Sequence, residues 1–159
     1  MNFKVRESIR EDMPQVLELI KELAIFENEP DAVEVTVENL LEEGFSEPPL
    51  FKCFVAENDD LILGIALVYF RFSTWKGRSL HLEDLIVRAE LRGSGIGKAL
   101  YTRMIEYAES LGVKRIEWAV LDWNKGAIKF YEKSGAIVFD EWRIAQMDEV
   151  GINNYLKNK

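Results

Sequence analysis

Apolar residues at Met13, Val16, Leu17, Ile20, Leu23 and Ala24 recur at spacings of three and four. That spacing predicts one buried face of a helix, following Ser8 and a short alternating strand over residues 3–6. Pro14 fits only near the start of this helix, and Asn28 to Pro30 ends it. Thr36 is placed to cap a second helix that runs through Leu40 and Leu41 and stops at Gly44. The period then falls to two. Residues 51–57, 61–72 and 79–87 are rich in β-branched and aromatic side chains, with turn residues at 58–60 and 75–78 between them, and predict an antiparallel meander. A glycine-rich segment leads into a helix over 97–111, with Ile96, Leu100, Met104 and Ala108 on one face and Gly112 closing it. Residues 115–121 read as a strand, 124–133 as a short helix stopped near Gly135, and 136–139 and 143–148 as final strands. The order β-α-α-β-β-β-α-β-α-β-β predicts an α/β fold with a mixed sheet and helices on both faces. No repeat or flexible linker interrupts it, so residues 1–159 are expected to form a single domain.

Composition narrows the class. Hydrophobic residues make up 48% and charged residues 30% of the 159 positions, an ordinary globular balance. The longest apolar run, 61–70, is broken by Gly64 and too short to cross a bilayer, so no membrane association is expected. The opening residues carry no apolar signal segment. Cys53 is the single cysteine, which excludes an internal disulfide and suggests a reducing, cytoplasmic setting. Cys53 alternates with apolar neighbours and reads as buried packing rather than a nucleophile. The net charge of -8 disfavours nucleic acid as a partner. It suits a cationic substrate, although solubility alone would also explain it.

The segment from Leu91 to Leu100, LRGSGIGKAL, carries the chemistry. Alternating glycines at Gly93, Gly95 and Gly97 let backbone approach a ligand, and the unpaired amides of a helix start attract a pyrophosphate. Arg92 can add a charged donor. A Walker A loop does not fit, because Arg92 stands where its first glycine belongs and Ala99 replaces the hydroxyl residue. A dinucleotide fingerprint does not fit either, because the glycines fall at every second position and no βαβ unit opens there. An acyl-CoA loop, Arg/Gln-x-x-Gly-x-Gly/Ala, is met by Arg92, Gly95 and Gly97. A glycine-rich turn without a ligand would leave that combination unexplained.

With these residues in view, the chain resembles the GNAT superfamily of N-acetyltransferases, and within it the diamine (spermidine/spermine) and thialysine branch. The resemblance spans nearly the whole chain. It is carried by residues 19–24, residues 40–45, Leu82-Glu83-Asp84, residues 92–97, Trp123-Asn124, Phe130-Tyr131 and Gly135-Ala136. It implies a mostly antiparallel sheet whose strands ending near Val87 and Leu121 splay into a V. Acetyl-CoA would lie in the V as cosubstrate. Its pantetheine arm would pair with backbone at Leu85, Ile86 and Val87, its diphosphate would sit on the loop Arg92, Gly93, Ser94, Gly95, Ile96, Gly97 and Lys98, and Asn124 would hold the arm. No metal is required.

The resemblance also implies roles for side chains. Glu83 is the candidate general base through a water, and Tyr131 the candidate acid for the leaving thiolate. Glu27 and Asp84 would bind the cationic amine, with Trp75 and Trp142 along its aliphatic stem. In a regular strand Asp84 would face away from Glu83, unless a bulge turned both one way. Solvated surface, helix capping and core packing are the competing explanations for these residues, and His81 reads as structural. The branch's polyamine enzymes carry an acid two positions before the tryptophan matching Trp75. This chain has Ser73 there, which favours shorter acceptors. The family is commonly dimeric, and residues 147–156 could contribute a contact. A peptide or protein lysine acetylase, and a non-catalytic acyl-CoA-binding module, remain the rivals.

Overall fold

The computed structural model describes residues 2–158. They divide into two units, one running to Ala119 and the other beginning at Val120. In the first, strands β1 (Lys4–Glu7), β2 (Lys52–Asn58), β3 (Leu61–Ser73), β4 (Gly77–Val87) and β5 (Ile116–Glu117) lie side by side in chain order. The first four are antiparallel, and β5 is parallel to β4. The meander read from the period-two pattern is therefore present in the expected order.

Alternation sorts the strand side chains onto two faces. Cys53, Val55, Ile65, Leu67 and Ile86 pack with Met13, Val16, Leu17 and Leu19 of helix α1 (Met13–Phe26) and Leu40 of α2 (Val37–Gly44). The intervening residues, among them Phe54, Ala66, Val68, Leu80 and Leu82, are buried toward the opposite face. There α3 (Ile96–Ser110) contributes Leu100, Met104 and Tyr107, whose ring meets that of Phe54 edge-on at 5.4 Å. Helix starts follow the expected chemistry. Pro14 lies in the first turn of α1, and the Thr36 hydroxyl accepts from the Asn39 amide at 3.2 Å. Asp12 joins β1 to α1, accepting from Arg6 Nη1 at 2.6 Å and from the Ile9 amide at 2.8 Å.

Gly64 marks the tightest approach in the sheet. A Cβ there would stand 2.7 Å from the Ile86 carbonyl oxygen and 3.1 Å from Leu100. Gly64→Ala must push β4 or α3 aside. A loss of about 1–3 kcal/mol is expected by urea unfolding, and an unchanged midpoint would contradict this packing.

The later part of the chain departs from the sequence reading. The strand expected over 115–121 is confined to Ile116–Glu117, and neither 136–139 nor 143–148 forms a strand. Alternation records which side chains favour a pleated, half-buried surface, but a strand exists only where another backbone lies alongside. The second unit instead holds α4 (Lys125–Lys133) and a helix absent from the sequence reading, α5 (Glu149–Lys157). Asp148 caps α5, its carboxylate accepting from the Gly151 amide at 2.7 Å.

Candidate functional site

The register between β3 and β4 shifts once. Leu67 pairs with Asp84 while Val68 pairs with Leu82, which leaves Glu83 as an extra residue. This is a β-bulge, and its effect is chemical. Asp84, opposite Leu67, takes the α1 face. His81, opposite Tyr69, takes it three residues earlier, and Glu83 reaches back to His81, Oε2 lying 3.5 Å from Nε2. The bulge thus places two consecutive acids on one side of the sheet, where a regular strand would separate them. The chain reaches Glu27 on the same side, at the C-terminal cap of α1.

The three acids differ in their electrostatics. His81 hydrogen-bonds Glu83 and holds it below the usual glutamate range, so it is ionised at neutral pH. Burial pushes Glu27 up. Burial, reinforced by the charges of Glu83 and Glu27, pushes Asp84 up to about 7. Asp84 therefore favours the fold when protonated. Its contribution is fully present at acid pH and is lost as pH rises toward 7, because the folded protein resists giving up that proton. Asp84→Asn should raise stability at pH 8 and change little at pH 4, by at most about 4 kcal/mol. Equal effects at the two pH values, read from urea unfolding, would contradict it. A bound cation relieves the same charge crowding. Behind Asp84, burial raises the Cys53 thiol far from thiolate formation, in keeping with packing.

Beside this cluster β4 has an open edge. β5 pairs with it only at Leu80 and His81, so among the described residues no strand flanks residues 82–87 on that side. β5 ends at Glu117, and among the described residues the main chain at Leu85, Ile86 and Val87 has no strand partner on that side. Arg88 anchors the end of β4, donating to the Ile62 carbonyl at 2.7 Å and to Glu22 of α1 at 3.0 Å.

The glycine segment follows. Gly93 and Gly95 have φ of +79° and +92°, which L side chains resist, and a Cβ at either would meet nothing within 4 Å. Gly95 caps α3 without a side-chain hydrogen bond, so the amides of Ile96, Gly97 and Lys98 begin the helix with no cap from a side chain. Ser94 turns its hydroxyl inward, to the Leu91 carbonyl. Arg92 lies over the Phe26 ring at 4.4 Å, and its Nε is 3.4 Å from the Val87 carbonyl. It thereby joins the loop to the ends of both α1 and β4. An open, uncapped helix start beside a cation fits an anionic diphosphate. Among the described residues no cluster of His, Cys, Asp and Glu could hold a metal ion.

Trp75 is exposed at the tip of the β3–β4 hairpin. The six steps along β4 from Gly77 to Glu83 cover about 20 Å. In the second unit, the Asn124 carboxamide caps α4, accepting from the Ala127 amide at 3.2 Å, and Tyr131 is buried on the same helix. Trp142 is exposed. His81 and Tyr69, which lie beside Glu83, are not among the expected site residues. Alternation along β4 already puts His81 on the side of Glu83.

An open parallel–antiparallel junction beside a glycine-rich helix start is the architecture of an acyl-group transferase. Residues 13–136 match the Acetyltransferase (GNAT) family, and the chain belongs to it. It is 40% identical over 140 residues to a thialysine N-epsilon-acetyltransferase of Bos taurus, covering 83% of this chain and 82% of that one. It is 34% identical over 157 residues to the protein of that name in Caenorhabditis elegans, with 97% of each covered. Among solved structures, an integron cassette protein from the mobile metagenome of V. cholerae shares the fold, with a TM-score of 0.79 at 24% identity over 99% of each chain. The protein is an acetyltransferase. Among the described residues no helix is long and apolar enough to cross a membrane.

Proposed function

We propose that this acetyltransferase moves an acetyl group from acetyl-CoA to a primary amine of a small cationic acceptor, by direct transfer in a ternary complex. One observation carries the proposal. The bulge at Glu83 turns an ionised carboxylate and a half-buried one to the same side of β4, next to that strand's open edge. Amine acceptors arrive as ammonium ions, and at a pKa near 10 roughly one in a thousand is neutral at pH 7. Glu83 accepts the proton through a water, while Asp84 and Glu27 hold the cation. The amine nitrogen then bonds to the acetyl carbon, the carbon–sulfur bond breaks, and Tyr131 protonates the departing thiolate. Backbone N–H groups from Leu85 to Val87 stabilise the carbonyl oxygen as charge develops. The loop from Arg92 to Lys98 binds the diphosphate. Asn124, Trp75 and Trp142 belong to this reading through the family resemblance.

Ser73 leaves the hairpin without the acid that would hold the far end of a polycation. The acceptor is therefore a short diamine or a lysine-like amino acid such as thialysine, in keeping with the names of the relatives above. The setting is cytoplasmic, with residues 1–159 acting as one domain. The chain works as a homodimer, supported by the exposed Val150, Tyr155 and Leu156 of α5 and by Ile137, Phe139 and Ile144 before it. Analytical ultracentrifugation should give twice the chain mass, and a monomer at micromolar concentration would remove that part.

Initial rates of free-thiol release with thialysine, lysine, short diamines, spermidine and a lysine peptide test the whole reading. Intersecting double-reciprocal lines and preference for the short amines are expected. Parallel lines would indicate a covalent enzyme intermediate, preference for the peptide would make it a protein acetylase, and no release with any amine would leave a binding module. Tyr131→Phe should lower kcat about 100-fold or more with acetyl-CoA affinity kept, and equal rates would take Tyr131 out of the mechanism.

A further inference from the structure

Two residues before the bulge, His81 stands between three possible partners. Across β3, the Tyr69 ring stacks on it at 4.9 Å with the planes 37° apart. Across β5, Glu117 lies opposite it in register, but that carboxylate is engaged by Arg71 and by Arg115, whose Nε is 3.1 Å from Oε2. Along its own strand, Nε2 faces Glu83 Oε2 at 3.5 Å. Asp84 faces the same side of the sheet, and Glu27 acts electrostatically on Asp84. Glu83 is the acid at ion-pair distance from the imidazole among the described residues.

The other ring nitrogen decides how the imidazole serves it. Nδ1 is buried and has no hydrogen-bond partner among the described residues. An imidazolium, or the tautomer with its proton on Nδ1, would bury an N–H donor with no acceptor, which is unfavourable. The neutral ring with its proton on Nε2 leaves only a lone pair unpartnered there and aims its donor at Glu83. The Tyr69 ring prevents the imidazole from swinging away.

We propose that His81 is a positioning residue: neutral and protonated on Nε2, it holds the Glu83 carboxylate, with the Tyr69 hydroxyl as a second donor, turned toward the water that receives the substrate's proton. This rests on the assignment of Glu83 as base. The bulged residue is exposed and has no strand partner, so its orientation depends on such a contact. A carboxylate free to rotate would spend much of its time turned from the reacting amine, and misplacement of about 1 Å in such a group can reduce rate 100-fold. The lowered pKa of Glu83 agrees with donors held at its carboxylate, His81 first and the Tyr69 hydroxyl after it.

The test combines carbon-13 NMR of labelled glutamate carboxyls, with Glu83→Gln used to assign the Glu83 signal, and steady-state rates. His81→Leu should raise the titration midpoint of Glu83 by about one pH unit and lower kcat roughly tenfold or more, with KM for acetyl-CoA little changed. His81→Gln retains an N–H donor and should recover much of both effects. It also keeps the test available if the leucine variant does not fold. An unmoved Glu83 midpoint in both variants, with Glu83→Gln inactive, would overturn the proposal and leave the base assignment standing. Glu83→Gln turning over at the wild-type rate would instead remove the base assignment, and with it any catalytic purpose for His81, even if the midpoint had moved.

Discussion

Glu83→Gln should lower kcat by about 100- to 10,000-fold, the range in which positioned proton acceptors contribute. Glutamine preserves the volume of the side chain and can still meet His81 through its carbonyl oxygen, so the bulge and the sheet should survive. Only the ability to take a proton is lost. The sign of the pH dependence follows from the same contact. Glu83 lies below the usual glutamate range because His81 favours its ionised form. Wild-type activity should therefore not fall from protonation of Glu83 until pH drops below about 4.5. Any decline nearer neutrality belongs to Asp84, pushed up to about 7, whose charge helps hold the cation. In Glu83→Gln the residual rate should rise with pH as the free amine becomes available, moving the optimum upward. A pH–rate profile superimposable on wild type would reject Glu83 as the base.

The second large effect is expected at the glycine loop. In the double variant Gly93→Ala/Gly95→Ala, each alanine must adopt a positive φ to keep the observed turn, at roughly 1–2 kcal/mol apiece. No neighbour would clash with either methyl group, so the cost is conformational rather than steric. The free loop can escape the strain by rearranging, and the ligand then has to reverse the change. The Kd for acetyl-CoA should rise about 30- to 1,000-fold, while the thermal midpoint falls only slightly. An unaltered Kd would mean that the diphosphate does not depend on this turn. A collapse in stability with Kd kept would mean that the glycines serve the fold alone.

The fold was legible where one element alone dictates its own environment. The spacing along α1, the caps at Thr36 and Asn124, and the alternation of β2 and β3 each report a local preference that the assembled sheet satisfies. The glycine segment was legible because positive φ and a bare helix start are written in the identity of a few adjacent residues. The bulge was not, because it depends on which residue of β3 pairs with Asp84 rather than on β4 itself. For the same reason the pairing of His81 with Tyr69 is not legible in β4 alone, although alternation puts His81 on the side of Glu83. Residues 136–148 show the opposite failure. Ile137, Phe139, Ile144 and Met147 have a strand's side-chain pattern, but no backbone pairs with theirs. Helix α5 went unread because its apolar residues, Val150, Ile152, Tyr155 and Leu156, do not keep to one strict face. Its clearest mark is the Asp148 cap.

Isothermal titration of acetyl-CoA into the wild-type protein, paired with the Gly93→Ala/Gly95→Ala variant, bears most directly on the loop and the open edge of β4 as the seat of the acyl donor. Saturable one-to-one binding at submillimolar Kd, severely weakened in the variant, is the expected result. No heat of binding to the wild type at millimolar acetyl-CoA would contradict it.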